Sequence, residues 1–262
     1  MSGASAMNGN PQSLLKPGER LDDLQRDGLR LIQHPDLFAF SMDSVLLSSF
    51  ARAKHRDVVI DICTGTGVIP LLMWAKWKPK RIVGVEIQTQ LADMAKRSVI
   101  LNDLEDRIEI VEGDAREVLA EFDHCKVDLV VCNPPYRPVD SGPASRSDSN
   151  AIARHEHSFS LSDLAIVASR ILKSSGRLAV VHRPERLPDL VVELRRNRIE
   201  PKRMQLVHTS LDKPAKMVLL EAVRDGGKQL SVLPPLVIHG DDGSYTQQAI
   251  DIYFGAHGSG DD

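Results

Sequence analysis

Thiol chemistry has little to build on in this chain. Cys63, Cys125 and Cys132 are its only cysteines; their number is odd and no pair has C-x-x-C spacing, which excludes a disulfide framework or a cysteine zinc site. The compartment expected from this usage is a reducing cytoplasm. No apolar run approaches the roughly 20 residues that a membrane span needs. Met1 to Gln12 has no basic segment leading into an apolar core, so no secretory signal is expected there. A basic excess is missing as well. The formal net charge is −3, whereas a protein devoted to wrapping nucleic acid is usually basic. No internal repeat, Ser-His-Asp arrangement or phosphate-cradling P-loop is visible. His155-Glu156-His157 has the wrong spacing for a two-histidine zinc site on a helix, and no metal is expected.

What is present is an ordinary globular composition over 262 residues, 42% hydrophobic and 26% charged, enough for one large domain with appendages. Residues 1–18 read as a disordered tail. Residues 19–56 read as a lid: strands at Leu29 to Gln33 and Phe38 to Ser41 around a His34-Pro35-Asp36 turn, then a helix capped by Ser41 or Asp43. Residues 57–225 repeat strand, turn and helix. The strands are Val58–Ile62, Arg81–Glu86, Ile108–Val111, Val127–Cys132 and Arg177–His182. Met204 to His208 and Met217 to Ala222 then form an antiparallel pair at the sheet edge. Residues 226–262 read as an extension ending in an amphipathic segment, Tyr245 to Phe254. Strands alternating with helices predict a doubly wound, mostly parallel α/β sheet. Ligands then bind beyond the carboxyl ends of the strands, between the first and fourth. The polar stretch 137–158 is long enough to be functional rather than filler.

The most specific segment is Val127 to Tyr136, where a buried strand runs into Asn133-Pro134-Pro135-Tyr136. Neither proline donates an N–H, and both favour extended backbone before them, so the carbonyls of Asn133 and Pro134 stay available. With the Asn133 amide they can accept both N–H bonds of a planar amino group, as on adenine, cytosine or glutamine, while Tyr136 stacks on its body. Holding the nitrogen this way favours the pyramidal geometry of methyl transfer over the flat ground state and aims its lone pair. No general base is required. Cys132, beside Asn133, points to the opposite face by strand alternation and reads as a buried structural thiol.

Gly65-x-Gly67 after the first strand and Glu86 closing the second fit both a dinucleotide and S-adenosylmethionine. Three features separate the two. Position 70 is Pro, where the dinucleotide fingerprint wants glycine or alanine. Asp61 would repel a pyrophosphate and suits a cationic ligand. Asp114, after the third strand, can accept from an adenine amino group. The sulfonium, with no phosphate, fits these carboxylates. Between Arg177 and Arg203 eight basic residues stand against four acidic ones, either a solvated helix face or a phosphate-facing patch.

Asp61 to Gly67 with Asn133 to Tyr136 resembles the Rossmann-like, S-adenosylmethionine-dependent amino-methyltransferases of class I. Phe40 to Leu47, Val85 to Gln88, Ala151 to Glu156, Val181 to Pro184, Glu200 to Arg203 and Leu233 to Leu236 narrow the similarity to bacterial tRNA (adenine-N6)-methyltransferases. These modify adenosine beside the anticodon of a valine tRNA. The resemblance implies a seven-stranded, mostly parallel sheet with an antiparallel edge strand, and S-adenosylmethionine as cofactor. It implies cofactor binding by Asp43, Asp61, Thr64, Gly65, Gly67, Glu86, Ile87, Asp114, Ala115 and Asn133, and a catalytic turn of Asn133, Pro134, Pro135 and Tyr136. A tRNA substrate must splay out its base, and Arg154, Arg183, Lys202 and Arg203 are the expected phosphate contacts. Cys63 departs from the small residue usual in the glycine loop. The Asn-Pro-Pro-Tyr motif is shared with glutamine methylases, so it specifies the nitrogen type rather than the substrate. The rivals are therefore methylation of another planar nitrogen (a protein glutamine, an rRNA base or a small metabolite) and a catalytically silent RNA-binding module. An NAD-binding oxidoreductase is a more distant one. The oligomeric state is not legible.

Overall fold

Short β-branched and aliphatic runs form the strands, and the polar residues that interrupt them mark the strand ends. The computed structural model describes residues 11–37, 41–122, 127–134 and 159–255. A small antiparallel hairpin comes first, β1 (Arg20–Asp23) with β2 (Arg30–Gln33), followed by α1 (Met42–Phe50). Then come β3 (Val58–Ile62), α2 (Val68–Trp77), β4 (Arg81–Glu86), α3 (Thr89–Leu101), β5 (Ile108–Glu112), α4 (Ala115–Val118) and β6 (Val127–Cys132). Past the undescribed residues lie α5 (Leu161–Ile171), β7 (Leu172–His182), α6 (Leu187–Arg196), β8 (Ile199–His208) and β9 (Ala215–Arg224). Two-residue strands β10 (Ser231–Val232) and β11 (Leu236–Val237) and a last helix, α7 (Gln247–Phe254), follow.

The main sheet runs β10-β8-β9-β7-β6-β3-β4-β5, with β11 also on β8. From β3 the chain moves outward through β4 to β5, and from β6 it moves the other way to β7. The β3–β6 boundary is therefore the switch point where such sheets open a crevice. β3 through β7 are parallel, and the reversed strand β9 lies between β7 and β8. The antiparallel pair thus stands where the sequence places it, with β9 one strand in from the edge. The short β10 and β11 extend the expected seven strands to nine.

Alternation along each strand builds two cores. Val59, Leu129, Val131 and Ala179 face α1, α2 and α3, while Ile60, Ile62, Val130 and Val180 face α5 and α6. Each fully buried aliphatic side chain contributes roughly 1.5–3 kcal/mol relative to exposure.

In the N-terminal region β2 pairs with Arg20–Asp23, a strand the sequence reading did not place. Phe38 to Phe40 lie outside the described residues, and Ser41 is the N-cap of α1. The described part of the expected tail carries a packed segment. Pro11–Leu14 form a 3₁₀ turn, Leu14 and Leu15 pack on Leu91 and Met94, and Arg97 donates to the Leu14 carbonyl at 2.6 Å and to Glu19. The apolar pair outweighs the polar composition around it.

Candidate active site

At the carboxyl end of β3 the backbone turns through left-handed geometry at Cys63 (φ +61°), Gly65 (+59°) and Gly67 (+85°). Glycine adopts this at little cost and cysteine does not. The loop is held from within. The Thr64 amide donates to the Val85 carbonyl at 3.0 Å, and the Thr64 hydroxyl donates to Asp61 Oδ2 at 2.6 Å. Thr64 fits because residue 84 is glycine: a Cβ there would sit 2.8 Å from Thr64 Oγ1 and 2.9 Å from Ile110 Cδ1.

Two buried carboxylates complete this half. Glu86 accepts from the Gly65 amide at 2.8 Å through Oε2 and from the Gln88 amide at 2.9 Å through Oε1. Burial raises its pKa against these opposing hydrogen bonds. Asp61 is 0% exposed, and its Oδ1 has no hydrogen-bond partner. Burial pushes its pKa up to about 8; the Thr64 bond opposes this and the Glu86 charge adds to it. A buried carboxyl with an unpartnered oxygen is suited to a cation or to a proton.

Asp114 caps α4, accepting from the Arg116 amide at 2.8 Å and pairing with the Arg116 guanidinium. Cys63, Val85, Glu86, Ile87, Gly113, Asp114, Ala115, Arg116 and Phe159 line a small open cleft. Asp61, Thr64, Gly65, Gly67, Glu86, Ile87, Asp114 and Ala115 are thus all at the carboxyl ends of β3, β4 and β5, as the sequence places them.

Across the switch point, Ile62 is level with Cys132, so Asn133 and Pro134 leave β6 beside the glycine loop. Pro134 is buried and Asn133 half-buried. The Asn133 amide donates to Ser44 Oγ at 3.4 Å, which brings the first turn of α1, with Asp43, to the catalytic end. Cys132 lies in the opposite core, its thiol pushed up by burial and by Cys63 beside it. That environment suits a structural thiol and not a nucleophile. Pro135, Tyr136, Arg154 and the 137–158 stretch lie outside the described residues.

The basic stretch does not gather here. Arg183 is exposed at the carboxyl end of β7, but Arg203 packs 4.2 Å over the Phe50 ring and donates to the Phe50 carbonyl and to Glu221. Phe50 is the far end of α1 from Ser44. Lys202 donates to the Gly227 carbonyl. Arg177, Arg186, Arg195, Arg196 and Arg198 pair with Asp57, Asp189, Glu200, Glu193 and Asp225. Most of these cations thus have carboxylate or carbonyl partners, and Arg195, Arg196 and Arg198 stay exposed while paired.

Sequence reading missed Ser44, Phe159, Gly84 and Arg116. Of these only Phe159 carries a local signal: it precedes the Ser160–Asp163 capping box of α5, the position of a hydrophobic staple.

A model of the methyltransferase small domain matches residues 29–189. The chain is 31% identical over 185 residues to the tRNA1(Val) (adenine(37)-N6)-methyltransferase of Porphyromonas gingivalis, covering 68% of this chain and 72% of that protein. It is 28% identical over 213 residues to the enzyme of the same description from Aeromonas hydrophila, covering 80% and 86%. Among solved structures it is similar to a predicted O-methyltransferase from Agrobacterium tumefaciens, with TM-score 0.67, 24% identity and coverage of 82% and 96%. It is also similar to M. jannaschii TYW2 in complex with AdoMet, with TM-score 0.54, 14% identity and coverage of 80% and 87%. At these identities the structural likenesses carry the fold alone.

Proposed function

We propose, for a chain that belongs to the methyltransferase small-domain family and within it to the tRNA1(Val) (adenine(37)-N6)-methyltransferases, a mechanism built on two adjoining half-sites. The enzyme is an S-adenosylmethionine-dependent methyltransferase acting on the N6 amino group of adenosine in tRNA. Adenosine-37 beside the anticodon of a valine tRNA is the substrate its relatives' names point to. Such a substrate places it in the cytoplasm.

The observation that carries the mechanism is the unpartnered Asp61 Oδ1 beside the Gly65–Glu86 hydrogen bond, one strand from Asn133. These residues fit the cofactor. Asp61 offers a carboxylate oxygen to its positive charge, Glu86 keeps a lone pair on each oxygen for ribose hydroxyls, and Gly65 leaves open space where a side chain would intrude. Thr64 holds Asp61 in place; Asp114, Ile87 and Ala115 would hold the adenine end of the cofactor, and Asp43 would hold its methionine end. When bound, S-adenosylmethionine supplies an electrophilic methyl group on a sulfonium.

The Ser44 contact engages the nitrogen of the Asn133 amide, and the amide oxygen is the acceptor asked of it here. That oxygen and the Pro134 carbonyl receive the two N–H bonds of the target amine, and Pro135 keeps the Pro134 carbonyl from being drawn into a helix. Tyr136 stacks on the base. The amine proton leaves to solvent after transfer. Arg183 and Arg154 meet the flanking phosphates.

The test is transfer of labelled methyl from S-adenosylmethionine to total bacterial tRNA lacking the modification. New N6-methyladenosine, lost in Asn133→Ala, supports the substrate and the turn together. Cofactor binding with no label in tRNA, and label instead in protein, ribosomal RNA or metabolites, overturns the substrate.

A further inference from the structure

Among the described residues, Tyr245 and Phe254 are the only exposed aromatic side chains, at 46% and 49%. They belong to one array. His239 stacks on Tyr245 with centroids 4.8 Å apart, Tyr245 lies 5.8 Å from Tyr253, and Tyr253 lies 6.2 Å from Phe254. The array adjoins the catalytic end. The Tyr253 hydroxyl is buried without a partner and close enough to Asp43 to feel its charge, and Asp43 precedes the Ser44 that touches Asn133.

A second observation lies against the same surface. Arg26 donates to the Ile252 and Tyr253 carbonyls at 3.0 and 3.4 Å. Lys76 donates to Ser49 Oγ at 2.5 Å, and burial, with the charges of Arg26 and Arg52 adding to it, lowers its pKa to about 8. Among the described residues these three cations have no carboxylate in ion-pair contact. Nearby Asp27 and Asp57 are taken by Lys78 and Arg177. Cations without carboxylate partners beside exposed rings suit an anionic, base-bearing strand. From Ser44 to Ser49 is about 7.5 Å along α1 at 1.5 Å per residue, so the cluster is within reach of nucleotides flanking the target base.

We propose that the Tyr245–Tyr253–Phe254 face and the Arg26–Arg52–Lys76 cluster seat the unpaired RNA strand next to the target adenine. Its bases stack on the rings and its phosphates lie on the cations. The proposal rests on the tRNA reading above. It gives the RNA a seat on the hairpin, α2 and the C-terminal segment.

Steady-state methylation and direct binding of tRNA, each against salt concentration, test it. Arg26 also holds the end of α7, so the variants spare it. Arg52→Gln with Lys76→Gln is expected to raise KM for tRNA about tenfold, and to lower the slope of log affinity against log salt by about 1.4, two phosphate contacts at about 0.7 each. Saturated kcat and cofactor affinity stay within about twofold. Tyr245→Ala is expected to raise KM about fivefold or more with the salt slope unchanged, and Tyr245→Phe to keep wild-type KM. Unaltered KM and slope in these variants, with the parent enzyme active on tRNA, overturn this seat alone. Failure of the unaltered chain both to bind and to methylate tRNA overturns the substrate reading and this proposal together.

Discussion

The two halves of the catalytic end are built differently. Around β3 and β4 the side chains hold one another: Asp61 takes the Thr64 hydroxyl, Glu86 takes two backbone amides, and Gly84 clears space for Thr64. At the end of β6 the Asn133 side chain has a 3.4 Å contact to a residue of α1, and the backbone is shaped chiefly by the proline beside it. The cofactor half is finished before any ligand arrives, and it carries a buried carboxyl with an unmet oxygen as the consequence. The base half is tied to α1 through Asn133 and Ser44, and the target amine bonds to its acceptors on arrival. Preorganisation here is bought with stability in one half and left to the substrate in the other.

Substitutions should separate the halves. Asn133→Ala is expected to lower kcat by about 10²–10³-fold, the scale of losing one transition-state hydrogen-bonding group, while cofactor affinity measured by calorimetry stays within about twofold. A parallel loss of cofactor binding would erase the division.

Asp61→Asn is next in size. Cofactor affinity is expected to fall about 100-fold, while denaturant unfolding of the unliganded protein at pH 8 shows it more stable by about 2 kcal/mol. The sign follows from the raised pKa. The folded protein holds this proton up to about pH 8, well above the ordinary aspartate value of 3.8. The contribution of the protonated carboxyl is complete below about pH 4 and drains away as pH rises toward 8. The asparagine variant lacks that decline.

The same titration sharpens the comparison in wild type. A cation that needs the charged carboxylate must expel the proton, so cofactor affinity is expected to climb up to tenfold per pH unit from 6 toward 8 and then flatten. The base half has no such group among its described residues, so kcat at saturating cofactor should lack this step. Ser44→Ala is the smallest change. Freeing the Asn133 amide should reduce kcat about threefold, roughly the worth of one modest hydrogen bond, with cofactor affinity unchanged.

Much of this was legible because the informative residues interrupt apolar strands. Asp61, Glu86 and Asn133 stand out where valine and isoleucine runs end, and the alternation of strand and helix fixes which edge they share. Arg20–Asp23 was not legible as a strand, since its polar residues are acceptable only because β2 pairs with it. Nor were β10 and β11, two residues each around Pro234-Pro235, which exist only by capture on β8. Ser44 reaches Asn133 through packing of α1, which no local pattern encodes. Arg203 shows the converse: its charge suggested phosphate, but its guanidinium sits 4.2 Å over the Phe50 ring, a placement that composition cannot report.

The unmet oxygen of Asp61 also bears on how long the protein survives in a cell. A ligand that binds only the folded chain raises its stability with the logarithm of its concentration, and here that ligand also takes up a buried charge. Small changes in stability translate into several-fold changes in abundance through proteolysis. The amount of this enzyme would therefore follow the supply of S-adenosylmethionine, falling as the methyl donor runs short, without any dedicated regulator.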